Sequence, residues 1–327
     1  MITTITLNPA LDKLMQIDTL NIGETNRTEI LSESAAGKGI DVAKVIRDFK
    51  REVNVTGFLG GIVAPIFKKC FQDEKINDHF INIKGTTRTN IQLFDTKGKR
   101  TELLEKGPKI ETSELTQLLH KVEELSKKST VVAICGSAPR GVDEDYFTKL
   151  IQLCKNYCDK VIVDTSGSLL KVAIEQKPCL IKPNQDEMLE LMGVKSATQD
   201  QMIEFAQEIC RQGIEYVLIS LGKEGAMLVS EQGAWKGKAP EVEVKSTLGC
   251  GDTVVASMCI SFAEGDQPEE MLKKAIALSS ANAMTFETAH VIESDYKSLL
   301  PRCHGEKIKK KKSNTSSVID VRGDFYV

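Results

Sequence analysis

Two hydrophobic periods alternate along this chain of 327 residues, and that alternation limits its fold more than any single motif. Short β-branched runs at residues 3–7, 53–58, 131–135, 160–164, 179–182 and 216–220 predict strands. Stretches at 38–49, 114–127, 144–156, 199–212, 252–264 and 268–287 repeat apolar residues at helical spacing. Strands that take turns with helices pair in parallel, because each crossover carries a helix back over a sheet face. The expected class is therefore α/β, with a mostly parallel central sheet covered by helices.

Two segments break the rhythm. Residues 14–32 and 89–104 show near period-two patterning and weak helix signals. Alternating apolar and polar faces describe half-exposed strands. Together they are expected to form a small, discontinuous β-sheet lid on a main domain built from 1–13, 33–88 and 105–300. Edge strands of the main sheet are the plainer alternative. Residues 305–327 carry four consecutive lysines followed by serine, asparagine and threonine, and are expected to be a basic polar tail. Within it, 318–327 could return as an edge strand.

Composition removes several function classes. With 43 basic against 46 acidic residues, the net charge of −3 offers no global attraction to nucleic acid. A hydrophobic content of 41% is too high for a disordered chain. The longest apolar runs have strand length, well short of the roughly 20 residues a membrane-spanning helix needs. The first residues lack a basic n-region and a small-residue cleavage site, so no signal peptide is expected. Nine scattered cysteines are an odd number without metal-ligand spacing, which points to reduced thiols and a cytoplasmic protein.

The segment Gly249, Cys250, Gly251, Asp252 precedes an apolar helical run. Two glycines allow a tight turn, so successive backbone N–H groups can face one space at a helix N-terminus, where the helix dipole suits an anion. Asp252 would sit beside that anion hole, placed to take a proton from a hydroxyl that attacks a phosphoryl group. Taken alone, the motif would be better explained as a simple helix cap.

It stands in a set. Asn8 to Asp12 follows the first strand, Gly37-Lys38-Gly39-Ile40-Asp41 opens a helix, and Lys182-Pro183-Asn184-Gln185-Asp186-Glu187 follows a buried strand. Ser220-Leu221-Gly222-Lys223-Glu224-Gly225 follows another. Each lies at the carboxyl end of a strand or the start of a helix, where α/β sheets build their sites. In this order, over residues 1 to about 295, the set resembles the PfkB (ribokinase-like) family of sugar kinases. Thr87-Arg88-Thr89-Asn90 and Asp164-Thr165-Ser166-Gly167 narrow the resemblance to the branch of 1-phosphofructokinase and tagatose-6-phosphate kinase. No P-loop motif is present.

The resemblance implies a three-layer α/β/α domain with a β lid, and an ATP- and Mg2+-dependent kinase. Asp252 is then the catalytic base, and Gly249, Cys250 and Gly251 form the anion hole. Cys250 departs from the Ala or Ser common in the family, but there the backbone amide does the work. Lys182, Asn184, Glu187, Ser220, Gly222, Lys223, Glu224, Gly225 and Asn282 fall on the nucleotide side, with Glu187 near Mg2+ and Asn282 in the adenine pocket. Asp12, Gly37, Lys38, Gly39, Asp41, Arg88, Asn90 and Ser137 fall on the sugar side. There Arg88 would hold the acceptor's phosphate, with Lys38 as a second positive charge. Asp41 is a second departure, since the branch commonly carries Asn. The acceptor is expected to be fructose 1-phosphate, with tagatose 6-phosphate as the alternative and a non-catalytic phosphosugar sensor as a remote one. Relatives of this branch also imply a homodimer through the lid.

Overall fold

The computed structural model describes residues 1–308. The chain opens with β1 (Ile2–Thr6), β2 (Ala10–Ile17) and β3 (Glu29–Ala36), then α1 (Lys38–Asp48), β4 (Val53–Gly60) and α2 (Ala64–Asp73). Four further strands follow: β5 (Asn77–Asp78), β6 (Ile81–Ile83), β7 (Arg88–Asp95) and β8 (Arg100–Leu104). Next come α3 (Thr112–Ser126), β9 (Val131–Cys135), α4 (Glu144–Tyr157), β10 (Val161–Asp164), α5 (Ser168–Gln176) and β11 (Leu180–Ile181). The helices α6 (Gln185–Met192) and α7 (Gln199–Arg211) lead into β12 (Tyr216–Ser220), β13 (Ala226–Ser230) and β14 (Gly233–Gly237). The chain closes with α8 (Cys250–Glu264), α9 (Pro268–Ala283), α10 (Glu293–Leu299) and β15 (Glu306–Lys307).

The central sheet runs β15-β14-β13-β12-β11-β10-β9-β1-β4-β5, with β6 also on β4. From β5 to β12 every pairing is parallel, and only β12-β13, β13-β14 and β14-β15 are antiparallel. The pleat of β9 explains the layers. Val131, Ala133 and Cys135 pack with α1, α8 and α9 on one face, whereas Val132 and Ile134 pack with α3 and α4 on the other. Such strands are buried on both sides, which is why they read as continuous apolar runs.

The lid is its own four-stranded sheet in the order β3-β2-β7-β8. Its strands begin at Ala10 and Arg88, earlier than the pattern suggested, because β2 and β7 pair in parallel from their first residues. Asp95 makes the β7-β8 hairpin by accepting from the backbone N–H groups of Lys97 (2.9 Å) and Lys99 (2.7 Å). Ile30, Leu31, Leu103 and Leu104 on the edge strands stay exposed.

The chain differs from its sequence expectations in three further places. The helix expected to reach 287 stops at Ala283, because the Thr285 hydroxyl turns the chain by donating to the carbonyls of Asn282 and Glu287. The β13-β14 hairpin extends the sheet where no strands were expected. The tail expected from 305 starts instead as β15, whose Glu306 and Lys307 pair with Lys236 and Trp235 on the open edge of β14. The lysine run from 309 and the possible strand at 318–327 lie outside the described residues.

Candidate active site

Gly249 caps α8 in the left-handed region (φ 75). A Cβ there would lie 2.5 Å from the Ala289 backbone nitrogen, so glycine is needed for both conformation and space. Its carbonyl accepts from the N–H and the hydroxyl of Thr253, both at 2.8 Å, which locks the turn. The Cys250 N–H turns back to donate to the Thr247 carbonyl at 3.5 Å. Over Gly251, a Cβ would meet only the Lys182 ammonium, at 3.8 Å. The expected anion hole therefore has a lysine directly across from it.

That lysine belongs to a bridge. Asp164 ends β10, is 1% exposed, and lies 3.2 Å from both Lys38 Nζ and Lys182 Nζ. The Lys38 contact is a hydrogen bond to Oδ2. The Lys182 contact to Oδ1 is an ion pair without hydrogen-bond alignment. Burial pushes the Asp164 carboxyl up, yet Lys182 and Lys38 win and hold it below its ordinary value. Burial opposes the charge on Lys38, but Asp164 and Asp252 outweigh it and raise its pKa. Asp252 goes the other way. Burial raises its pKa well above the usual carboxylate range, Asp41 and Asp164 add to the shift, and the two lysines do not cancel it. An aspartate that prefers its proton is a stronger base once ionised, which suits a proton acceptor.

Gly37 and Gly39 seat the start of α1 against β1. A Cβ on Gly37 (φ 130) would come 2.9 Å from Thr6 Cγ2, and one on Gly39 would come 2.4 Å from Thr6 Oγ1. Asp41 is buried; its Oδ2 accepts from the Gly37 N–H at 3.3 Å and its Oδ1 faces Lys44 Nζ at 3.5 Å. Burial, only partly offset by Lys44, pushes Asp41 up to about 6. Across the lid register, the Asn90 amide donates to Asp12 Oδ1 at 2.9 Å. The other amide oxygen, Asn90 Oδ1, is buried without a partner, as is Asn8 Oδ1. Arg88 reaches down from β7 and donates to the carbonyls of Glu105 (3.0 Å) and Asn8 (3.1 Å). Asn8 donates in turn to Ser137 Oγ at 3.3 Å.

On the other flank, Asn184 and Glu187 form a capping box at the start of α6. Each backbone N–H donates to the other's side-chain oxygen at 2.8 Å. The motif is thus a helix cap first, and Glu187 Oε1 makes no hydrogen bond among the described residues. The Ser220 N–H donates back to the Pro183 carbonyl at 3.1 Å, which ties the Ser220 turn to the Lys182 strand end. In that turn Gly225 (φ 95) is crowded to 2.0 Å from the Gly237 oxygen at its missing Cβ. Gly222 (φ 57) and Lys223 are exposed, whereas Glu224 is tied to Gln199.

Asn282 needs a correction. It is fully buried rather than lining a pocket: its amide donates to the Leu248 carbonyl (2.7 Å) and contacts Cys250 Sγ (3.4 Å), and its oxygen accepts from the His290 N–H (3.2 Å). Its nitrogen is engaged twice and its oxygen once inside the protein, so it braces the Gly249 turn. Lys38 also sits differently from expectation, held by Asp164 on the Asp252 side. Sequence reasoning missed Asp164, Asn8 and Lys44 as site residues. The available signal for Asp164 was a charge ending a buried strand.

A carboxylate that holds its proton tightly, set beside a glycine turn at a helix start and two lysines, suits one class of chemistry: a hydroxyl loses its proton while it receives a phosphoryl group. Comparison with known proteins agrees. The pattern of the pfkB family carbohydrate kinases matches residues 3–295. A tagatose-6-phosphate kinase of Staphylococcus epidermidis is 35% identical over 294 residues, covering 89% of this chain and 94% of that protein. Phosphofructokinase-2 from Escherichia coli, solved with fructose-6-phosphate, superposes with a TM-score of 0.83 at 27% identity, covering 92% of this chain and 98% of that one. A possible 1-phosphofructokinase from Thermotoga maritima superposes with a TM-score of 0.82 at 25% identity, covering 94% and 99%. This chain belongs to the pfkB family of carbohydrate kinases.

Proposed function

We propose that this protein is an ATP-dependent kinase of a ketohexose monophosphate, making fructose 1,6-bisphosphate from fructose 1-phosphate. The observation that supports the reading is the gathering of Lys38 and Lys182 by Asp164 beside Asp252, with Lys182 facing Gly251 of the turn. Asp252 takes the proton from the acceptor hydroxyl as that oxygen bonds to the γ-phosphorus and the bond to the leaving diphosphate breaks. The turn amides and both lysines stabilise the charge on the transferring group. Asp12 and Asn90 orient the sugar hydroxyls, with Asp41 and the Gly37 turn beneath them. Arg88 meets the phosphate that does not react, because a guanidinium fork fits phosphate oxygens.

Mg2+ supplies charge neutralisation between nucleotide phosphates. Among the described residues no cluster of three or more His, Cys, Asp or Glu could hold a metal ion. The free Oε1 of Glu187 fits a hard cation that keeps its waters and leans on the nucleotide's own oxygens. The exposed turn at Gly222 and Lys223 suits the nucleotide. Tagatose 6-phosphate is the second reading, favoured by the identity to the Staphylococcus epidermidis enzyme. We further infer a homodimer. A four-stranded sheet with exposed Ile30, Leu31, Leu103 and Leu104 on its edge strands is a pairing surface. No helix among the described residues is long and apolar enough to cross a membrane. A coupled assay offering fructose 1-phosphate, tagatose 6-phosphate and ribose with Mg-ATP decides the acceptor. Preference for ribose would reject the phosphosugar reading.

A further inference from the structure

Asp48 ends α1, about 15 Å along the helix from Lys38, yet its side chain is only 14% exposed and grips a loop rather than solvent. We propose that Asp48 is a positioning residue for phosphoryl transfer, holding the Gly249–Gly251 turn in place through Val291, His290 and Asn282. The proposal rests on the kinase reading above, in which that turn faces the transferring group.

Two lines of contact join Asp48 to the turn. Along the first, Asp48 Oδ2 accepts from the Val291 N–H at 2.8 Å, and Oδ1 lies 3.3 Å from His290 Nδ1. The His290 N–H donates to Asn282 Oδ1 at 3.2 Å. The Asn282 amide then reaches both sides of Gly249, at the Leu248 carbonyl and at Cys250 Sγ. The second line is packing. Ala289 is 1% exposed and lies against Gly249, where a Cβ would come within 3.0 Å of the Ala289 Cα. Its φ of 54 is left-handed, a conformation that costs an alanine energy and persists only where the surroundings impose it. The next two residues, 290 and 291, are the ones that Asp48 holds.

Val291 is buried, so without Asp48 its N–H would lose its partner in the interior, and the loop could satisfy it only by moving. The same helix also serves the other side of the turn. Lys38, the first residue of α1, is bonded to Asp164. One element therefore fixes that lysine at its start and, through Asp48, the turn at its end. A change at Asp48 reaches the chemistry without touching a ligand.

Asp48→Ala should lower kcat about three- to tenfold, the worth of one buried hydrogen bond. KM for ATP and for the phosphosugar should stay within about twofold, because the turn acts where charge develops. Asp48→Asn keeps an oxygen for the Val291 N–H and should recover most of kcat. Cys250 supplies a readout that needs no turnover. Among the described residues, Cys250 and Cys70 are the two cysteines that are not buried outright, and partial burial still raises the Cys250 thiol pKa. A loosened turn relieves that burial. Iodoacetamide, followed by peptide mapping, should therefore label Cys250 about three- to tenfold faster in Asp48→Ala than in the wild type, with Cys70 unchanged. If Asp48→Ala does not fold, Asp48→Ser, whose hydroxyl stops one bond short of the carboxylate oxygens, takes its place. Unchanged kcat, an unchanged Cys250 rate, equal acceleration at both cysteines, or no recovery in Asp48→Asn would each overturn the proposal. If the wild type turns over neither phosphosugar, the function reading fails, and the Cys250 rate then decides the brace alone.

Discussion

Asp164 touches no reacting atom in the proposed mechanism, yet it holds both lysines that face one. Replacing it by Asn keeps the shape and removes the charge. Lys182, 6% exposed at its side chain, would then be a buried cation without its counter-ion, a loss worth about 3 kcal/mol in comparable buried pairs. Lys38, 40% exposed, is screened by solvent and adds little. At about 2.1 cal/mol/K per residue, roughly 300 residues unfold with about 0.6 kcal/mol/K, so Tm should fall by about 5 °C. Anionic ligands can replace the missing negative charge. Saturating Mg-ATP should therefore raise Tm more in Asp164→Asn than in the wild type. In turnover, kcat should fall about tenfold or more, because lysines without an anchor no longer sit where charge develops. KM values should change far less, since the site has lost a negative charge and still attracts its anions. Differential scanning fluorimetry with and without nucleotide, together with steady-state kinetics, tests this. An Asp164→Asn protein with wild-type kcat, or with a Tm deficit that nucleotide leaves unchanged, refutes the bridge.

Asp252→Asn should bind ATP normally while kcat drops by about 10²-fold or more; a variant keeping more than about a tenth of wild-type kcat would remove Asp252 from the base role. Arg88→Ala should cost kcat/KM for the phosphosugar roughly ten- to a hundredfold, the worth of one charged hydrogen bond, with KM for ATP nearly constant; equal effects on both substrates would place it in folding or lid closure. Asp41 holds its proton to about 6 when folded, against 3.8 in an ordinary aspartate. The unfolded state therefore releases the proton first as pH rises, and the wild type loses up to about 3 kcal/mol between those two values. Asp41→Asn should be the more stable protein at pH 7.5, with the gap closing below about pH 4 in chemical denaturation; equal stability at pH 7.5 would contradict the burial argument. Sedimentation should show a dimer at micromolar protein that Leu103→Asp dissociates, and a fully active wild-type monomer would reject the lid interface.

Much of the architecture was legible because it is written in local periods. The β9 and β12 runs matched the strands residue for residue, and α1, α4, α7 and α8 ended within two residues of expectation. A period of two or 3.6 reports which face a residue buries, whatever lies opposite. Local patterning failed for β13 and β14, which follow the short turn after β12 and pair with each other, and for the helix end at Ala283, set by one threonine hydroxyl.

The site divides along the same line. Glycines at 37, 249 and 225 could be recognised in the sequence because turns of this kind tolerate nothing larger, and their backbone angles agree. The place of Asp252 in the first turn of a helix after such a turn was legible too. What each charge does was decided only in three dimensions. Lys38 and Asp164 are 126 residues apart in the chain, so no spacing rule could show that the lysine expected at the sugar phosphate is held beside the base. Asn282 has the residue type of a ligand contact, yet it is fully buried and bonded to Leu248, Cys250 and His290. A turn or an amphipathic face is a property of consecutive residues, whereas electrostatic partnership depends on distance and burial, and both are set only when β10, β11 and α1 come together at one end of the sheet.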